Sequence, residues 1–503
     1  MLDAAVLRAW ADEAVHVLDV HRAELDALNV FPVADSDTGT NLWLTLREGR
    51  AALVAALGGA TLDVARGFAR GALVGARGNS GVIVSQYLGE LLREVRDTVL
   101  DGPVLARALR AATDAAYAAV ARPVEGTVLT VARAVSEGAR AADGDVGAVL
   151  AAGLRAGYEA LRRTPDQLAA LHVRRVHDAG GWGLLLVLGA LADALGVQAS
   201  YDVSLDVLPP GPVDHEPHEG CGEAGGAFEV MYVVSKAAGV APVVGDGPAD
   251  LAAQLRAALA EIGDSVAVVG GDGLWQAHVH TDTPLDAVAS AAAVGVTATQ
   301  VRVRHIERQT GVHGVHAPRL GLVTVTGAVG LTADLARAGA VVVLVPPGQV
   351  SGPELDRAVD DTGADVVLVL AADGLVAPGA VRAQVRESLS EVQVVVGAAT
   401  LASLTGRDHD AEHLAAAVLA AVDGVRTAEA HVGPQGEDRD VLSAAVRLLT
   451  DETTLLTVLV PDEAPDGLAD RLAGAVGDRT EVVVLPTGVP GRRVALGAEA
   501  GPA

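Results

Sequence analysis

Asp35 and Asp37 stand two residues apart in the stretch Leu28-Asn29-Val30-Phe31-Pro32-Val33-Ala34-Asp35-Ser36-Asp37-Thr38-Gly39-Thr40-Asn41. Carboxylates that close repel one another unless a cation sits between them. Hard oxygen ligands suit Mg²⁺, which takes one or two carboxylates plus the phosphates of a substrate. Gly39 allows a close backbone approach, and Thr38, Thr40 and Asn41 add hydrogen-bonding groups where a helix restarts. An Asx-type turn that caps that helix is the competing reading of the same residues.

Three glycine-rich turns could complete an anion site: Gly75-Ala76-Arg77-Gly78-Asn79-Ser80-Gly81, Glu125-Gly126-Thr127 and Asp178-Ala179-Gly180-Gly181-Trp182-Gly183. Each precedes an apolar, helix-like run. Each therefore predicts a helix N-terminus, with unpaired N–H groups and a partial positive charge. A tight helix–helix connection is the alternative for any one of them. Familiar phosphate motifs are absent. The one lysine, Lys236, follows no glycine loop, and the glycines at 75, 78 and 81 lack the dinucleotide-binding spacing. Metal and backbone amides must then neutralise any bound phosphates.

Helices must carry these residues. Leu7, Trp10, Ala14, Val17, Leu18, Leu25 and Leu28 recur at three- and four-residue steps, a buried stripe that Pro32 ends. Residues 1–204 read as successive Ala-, Leu- and Arg-rich helices without a β run. The most apolar run, 184–196, is too short to span a bilayer and contains Asp193. It predicts a buried helix and no integral membrane segment.

The stretch from Asn29 to Asn41 resembles the N-x-F-P-V-P-D-G-D-T-G-T-N signature of the fatty acid kinase catalytic subunit family. That family carries the nucleotide-binding domain of dihydroxyacetone kinase. Ala34 and Ser36 replace the usual Pro and Gly, and both carboxylates stay. The resemblance implies an all-α helical barrel with ATP at one end, in which Asp35 and Asp37 hold Mg²⁺ with help from Asn29. Thr38, Gly39, Thr40 and Asn41 would orient the nucleotide. Gly78, Asn79, Ser80 and Gly81 would form the phosphate loop, Gly126 and Thr127 a second nucleotide loop, and Asp178, Ala179 and Gly180 a third. Trp182 stands in that third loop where Gln is usual.

Residues 205–227 read as a linker, with Pro209, Pro210 and Pro212 ahead of His215, His218 and Cys221. Residues 228–312 change character. Runs at 228–234, 265–269, 274–280 and 300–306 predict strands, and 249–262 and 285–293 predict helices. The order is βαββαβ, the ferredoxin-like pattern. There the first and third strands are neighbours. His278 and His280 project on one face of their strand, and Glu229 on the neighbour completes a candidate structural Zn²⁺ set. A pair of ordinary surface histidines is the alternative. The family pairs its H-V-H-T-x-x-P with a cysteine, where this chain has Glu229.

Residues 313–503 predict an α/β domain with parallel strands at 320–325, 341–345, 366–370, 392–396, 455–460 and 481–485. The resemblance implies a DegV-like domain here, although the amide-rich family motifs near Gly348 and Asp373 are largely replaced. The expected architecture is multidomain α and α/β: a helical domain at 1–204, a linker at 205–227, the βαββαβ domain at 228–312, and the DegV-like domain at 313–503.

Half of the 503 residues are hydrophobic, enough for several cores. The net charge of −27 argues against nucleic-acid or anionic-membrane binding, which both favour Lys/Arg surfaces. A single cysteine cannot close an internal disulfide, and Met1-Leu2-Asp3 lacks a basic signal region. Both fit a cytoplasmic protein. The expected function is an ATP- and Mg²⁺-dependent kinase. By resemblance its acceptor is a fatty acid carboxylate presented by a separate fatty-acid-binding protein of the DegV family, and its product an acyl phosphate. Residues beyond 204 would dock that carrier and form a homodimer. The rival expectations are a kinase for a small polyol or ketone, and a nucleotide-binding regulatory protein without turnover.

Overall fold

The computed structural model describes residues 2–56, 61–95, 99–197, 226–235, 248–306, 320–345, 348–379, 381–405, 409–434 and 436–500. His215, His218, Cys221 and Lys236 lie outside the described residues. The chain divides into two compact units. One holds residues 1–226, 233–282 and 290–297; the other holds 227–232, 283–289 and 298–503.

The first unit is mainly helical. Its helices are α1 (Ala4–Val20), α2 (Arg22–Ala27), α3 (Thr38–Ala55), α4 (Thr61–Val74), α5 (Gly78–Val95), α6 (Gly102–Ala119), α7 (Val128–Ala141), α8 (Val146–Arg162), α9 (Thr164–Gln167), α10 (Ala169–Arg174) and α11 (Ala179–Ala194). The expected stripe is real. Leu7, Trp10, Ala14 and Leu18 are buried on α1, and Leu25 continues the stripe on α2 after a break at His21. The Trp10 indole N–H donates to the Val187 carbonyl at 2.8 Å, and its ring meets Phe68 edge-on with centroids 5.8 Å apart. Most of α11 is buried on every side, as its uninterrupted apolar sequence requires. Each leucine it encloses contributes about 1.5–3 kcal/mol.

Beyond residue 225 the element order is β1 (Phe228–Ser235), α12 (Pro248–Ala260), β2 (Gly263–Gly271), β3 (Leu274–Thr281), α13 (Pro284–Ala293) and β4 (Thr297–His305). This is the expected βαββαβ order. The hairpin β2–β3 belongs to the first, helical unit. Its two-residue turn is Asp272-Gly273, both at positive φ, the conformation that Asp-Gly hairpin turns require. Helical residues hold it directly. Ala121 N–H donates to the Val266 carbonyl at 3.0 Å, and Val120 pairs antiparallel with Ala267. Gly270 N–H donates to Gln86 Oε1 at 2.8 Å, and Gln276 Nε2 donates to the Ala76 carbonyl at 3.1 Å.

The second unit is α/β. Strands β5 (Gly321–Thr326), β6 (Val341–Leu344), β7 (Val367–Ala372) and β8 (Gln384–Leu389) run parallel in the order β6-β5-β7-β8, and β4 lies antiparallel to β6. A separate sheet has the order β11-β10-β12-β9, from β9 (Arg426–His431), β10 (Thr453–Val460), β11 (Glu481–Pro486) and β12 (Arg493–Ala500). There β10 and β11 are parallel and the other pairs antiparallel. One expectation fails. Residues 392–396 are not a strand but part of the helix Glu391–Leu404. Ser390 and Gln393 close a capping box at its start, which satisfies N-terminal N–H groups that a strand would leave to a ladder.

Candidate active site

Four helices begin at one cleft of about 270 Å³ in the first unit. The start of α3 supplies Thr38, α5 supplies Asn79 and Ser80, and α7 supplies Val128 with its cap Thr127. The start of α11 supplies Ala179 and Gly180 with the cap Asp178. Converging helix N-termini concentrate partial positive charge and unpaired N–H groups, the electrostatics a polyphosphate needs.

The carboxylates sit where α3 starts. Asp37 occupies the N-cap position, and its carbonyl accepts from Asn41 N–H at 2.8 Å. Asp35 accepts a hydrogen bond from Asn29 Nδ2, and Asn29 lines the cleft. Ser36, between them, takes a left-handed φ of 53°, where the family's glycine would be unstrained. A third carboxylate, Asp26, accepts from Thr40 N–H at 2.9 Å and from Thr40 Oγ1 at 2.7 Å. Burial raises the Asp26 pKa and the Asp37 charge adds to that rise, while the bonds from Thr40 oppose it. Asp35 and Asp37 are not themselves lining residues of the cleft, but Asp35 bonds to Asn29 and Asp37 caps the helix of Thr38, which both are. Crowded negative charge on hard oxygen donors there fits Mg²⁺.

The remaining expected nucleotide residues divide by position. Thr38, Asn79, Ser80, Thr127, Asp178, Ala179 and Gly180 line the cleft. Gly39, Thr40, Asn41, Gly78, Gly81 and Gly126 are not among its lining residues. Thr40 and Gly39 direct their N–H groups to Asp26. A Cβ at Gly39 would lie 2.8 Å from Leu25 Cβ and collide with the Arg22 carbonyl, so this glycine lets α3 approach α2. Gly78, at φ 55°, abuts Asn41, and Gly81 abuts Thr45, so both let α5 approach α3. Gly126 stands at φ 82° and donates to Thr130 Oγ1 at 2.9 Å.

Asp178 links two of the helix starts. Its Oδ2 accepts from Gly181 N–H at 2.7 Å, and it also accepts from Val128 N–H. Burial pushes its pKa up to about 7, against the pull of those two bonds. Four features of the site escaped the sequence reading. They are Asp26, Arg122, the pair Asp264 and Ser265 on β2, and an apolar wall that includes Phe31, Ile83 and Leu171. At Ser265 the strand bulges and takes a φ of 52°, and the Ser265 carbonyl lies 3.0 Å from His278 Nδ1. The bulge has no sequence marker, because a serine at positive φ has no glycine to announce it.

His278 and His280 are buried, with ring centroids 4.9 Å apart. Glu229 forms an ion pair with Arg304 inside the second unit. That pairing gives the Glu229 carboxylate a cation within the chain.

Residues 32–193 match the DAK2 domain, and residues 226–312 match the FakA-like middle domain of fatty acid kinase. Protein YloV of Bacillus subtilis (strain 168) is 28% identical over 531 residues, 93% of each chain. An uncharacterized protein of Staphylococcus haemolyticus (strain JCSC1435) is 34% identical over 271 residues, 52% of this chain and 47% of the relative. The match thus spans about half the length of that relative. Among solved structures, dihydroxyacetone kinase from C. freundii in complex with AMP-PNP and Mg²⁺ is 19% identical, with a TM-score of 0.30 over 38% of this chain and 34% of its own. A fatty-acid-binding DegV family protein from Thermus thermophilus is 13% identical, with a TM-score of 0.28 over 37% of this chain and 100% of its own. The helical unit thus carries a DAK2 domain. With a FakA-like middle domain at residues 226–312 beside it, the chain is similar to FakA-type fatty acid kinases.

Proposed function

We propose that this protein transfers the γ-phosphoryl group of ATP to the carboxylate of a fatty acid and releases an acyl phosphate. The observation that carries the reading is the convergence of four helix N-termini on one cleft, with Asp37 at the N-cap of one of them and Asp35 bonded to the cleft-lining Asn29. The match of residues 226–312 to a fatty acid kinase middle domain supports the acceptor class. Asp35, Asp37 and Asn29 would hold Mg²⁺, which neutralises charge on the transferring group when bound. Thr38, Asn79, Ser80 and Thr127 orient the phosphates, and the apolar wall at Phe31, Ile83 and Leu171 excludes water from one side. An ionised carboxylate acceptor gives up no proton, so the site needs no general base. A fatty acid is too apolar to diffuse freely to such a cleft. A separate fatty-acid-binding protein of the DegV type would present it, docked on residues beyond 204, in a homodimeric assembly.

The DAK2 domain favours one second reading, a small-ketone kinase of the dihydroxyacetone type. One assay separates the two. The full chain, Mg-ATP and either carrier-bound fatty acid or dihydroxyacetone are incubated, and acyl phosphate is trapped with hydroxylamine. Hydroxamate formation with the carrier supports the first reading. Turnover of dihydroxyacetone alone replaces it with the second, and nucleotide binding without turnover of either leaves a regulatory protein.

A further inference from the structure

We propose that Arg122 is the cation that meets the transferring phosphoryl group, and that β2 holds it in place. The inference rests on the phosphoryl-transfer reading above. Among the described residues that line the cleft, Arg122 is the only arginine or lysine. Its guanidinium makes no ion pair among the described residues. Arg122 is exposed, so in the free chain its charge is held by water and stays available to an anionic ligand. Asp264 lines the same cleft and does not take it. The remaining positive potential comes from helix ends, which are fixed and only partial charges.

Its position is imposed from both sides. Pro123 follows it and keeps the residue out of helical conformation. Before it, Val120 pairs with Ala267 in an isolated bridge and Ala121 N–H donates to the Val266 carbonyl, so the backbone just ahead of Arg122 is tied to β2 beside its bulge. A cation anchored in this way needs little reorganisation when charge develops in front of it.

In the transfer step the bond between the γ-phosphorus and the β–γ bridging oxygen breaks. An acceptor carboxylate oxygen bonds to phosphorus, and ADP leaves with the electron pair; no proton moves. Negative charge spreads over the equatorial and leaving oxygens. A planar guanidinium offers two parallel N–H donors to two such oxygens, which a point charge cannot do. The interaction strengthens as that charge develops, so it acts on rate more than on nucleotide affinity.

The test uses the full chain with Arg122→Ala and Arg122→Lys. Titration calorimetry measures Mg-ADP alone and Mg-ADP with aluminium fluoride, which mimics the phosphoryl in flight. Hydroxylamine trapping measures transfer. We expect Arg122→Ala to bind Mg-ADP within about threefold of the unchanged chain. It should lose on the order of 100-fold in fluoride-complex affinity and at least as much in transfer rate. Added guanidinium ion should restore part of the transfer rate in Arg122→Ala only, and Arg122→Lys should fall between. Equal fluoride-complex affinity in variant and unchanged chain overturns the proposal. So does an equal loss for ADP with and without fluoride, which a structural role would give. If the unchanged chain binds the fluoride complex but phosphorylates no acceptor, the acceptor reading fails while the affinity comparison still decides on Arg122.

Discussion

Replacing Asp35 or Asp37 with alanine is expected to lower phosphoryl transfer at least about 100-fold, because in the proposed reaction each would supply charge stabilisation through the metal. Circular dichroism of either variant should match the unchanged chain, since removing one carboxylate from a crowded set relieves repulsion. Near-normal transfer by the double variant would remove these residues from the reaction. Asp178 calls for a different measurement. Its pKa rises from an ordinary 3.8 to about 7 on burial. Between those values the folded chain keeps a proton that the unfolded chain has released. The stability it contributes is therefore full below about pH 4 and is lost as pH rises through 7. Asp178→Asn removes that titration while an amide oxygen still caps α11. Its Tm relative to the unchanged chain should climb by several degrees between pH 5 and pH 8, roughly 2–4 °C per kcal/mol. A difference that stays flat with pH would show that Asp178 does not titrate as its burial implies. The Asp35–Asp37 pair was legible because two acids flanking a serine ahead of Thr-Gly-Thr-Asn is a local pattern. Asp26 was not, because its partner Thr40 lies fourteen residues away, across a turn.

Two elements carry the clearest tests of local reasoning. The run Val392-Gln393-Val394-Val395-Val396 has the β-branched composition of a strand, yet it is helical. Composition pointed one way, and Ser390 with Gln393 three residues later pointed the other; the capping box won. Ser390→Ala should then cost about 1 kcal/mol, seen as an earlier unfolding transition of the second unit. No change would mean that burial of Val392, Val394 and Val396 alone fixes the helix. Strands β8 and β9 escaped the sequence because they are largely exposed and show no apolar alternation. At the cleft, Ala121→Pro removes the N–H that donates to Val266 without touching a cleft-lining side chain. Transfer should fall roughly tenfold or more while Mg-ADP affinity holds, because misplacing a reacting group costs rate before it costs binding. Equal losses in both would point to general disruption of α6 and α7.

At the scale of the molecule, composition and period separated a helical region from an α/β region, and the structure has both. What composition could not reveal is that β2 and β3 fold in with the helices, since no periodicity in one segment says which other segment it will meet. This sharpens the expectation for residues 1–204 alone. The fragment keeps Asp35, Asp37, Ser80, Thr127 and Asp178, so it should still bind Mg-ATP. It loses the hairpin that bonds to Ala76, Gln86 and Ala121, together with Asp264 and Ser265 from the cleft wall. It should form no acyl phosphate, and its Mg-ATP affinity should be weaker than that of the full chain. A fragment that matches the full chain in transfer would refute both the hairpin's part in the cleft and the docking role of the rest.

The bond from Ala121 to Val266 also bears on how such a chain can change over generations. A recombination break placed in the stretch between α11 and β1 would look harmless, because it falls between two separately recognisable domains. It would nevertheless pair a cleft with a hairpin shaped for a different cleft. The two segments are therefore expected to be inherited as one. Chimaeras that exchange everything after residue 204 with a distant relative should recover activity only when residues 120–122 travel with the incoming β2.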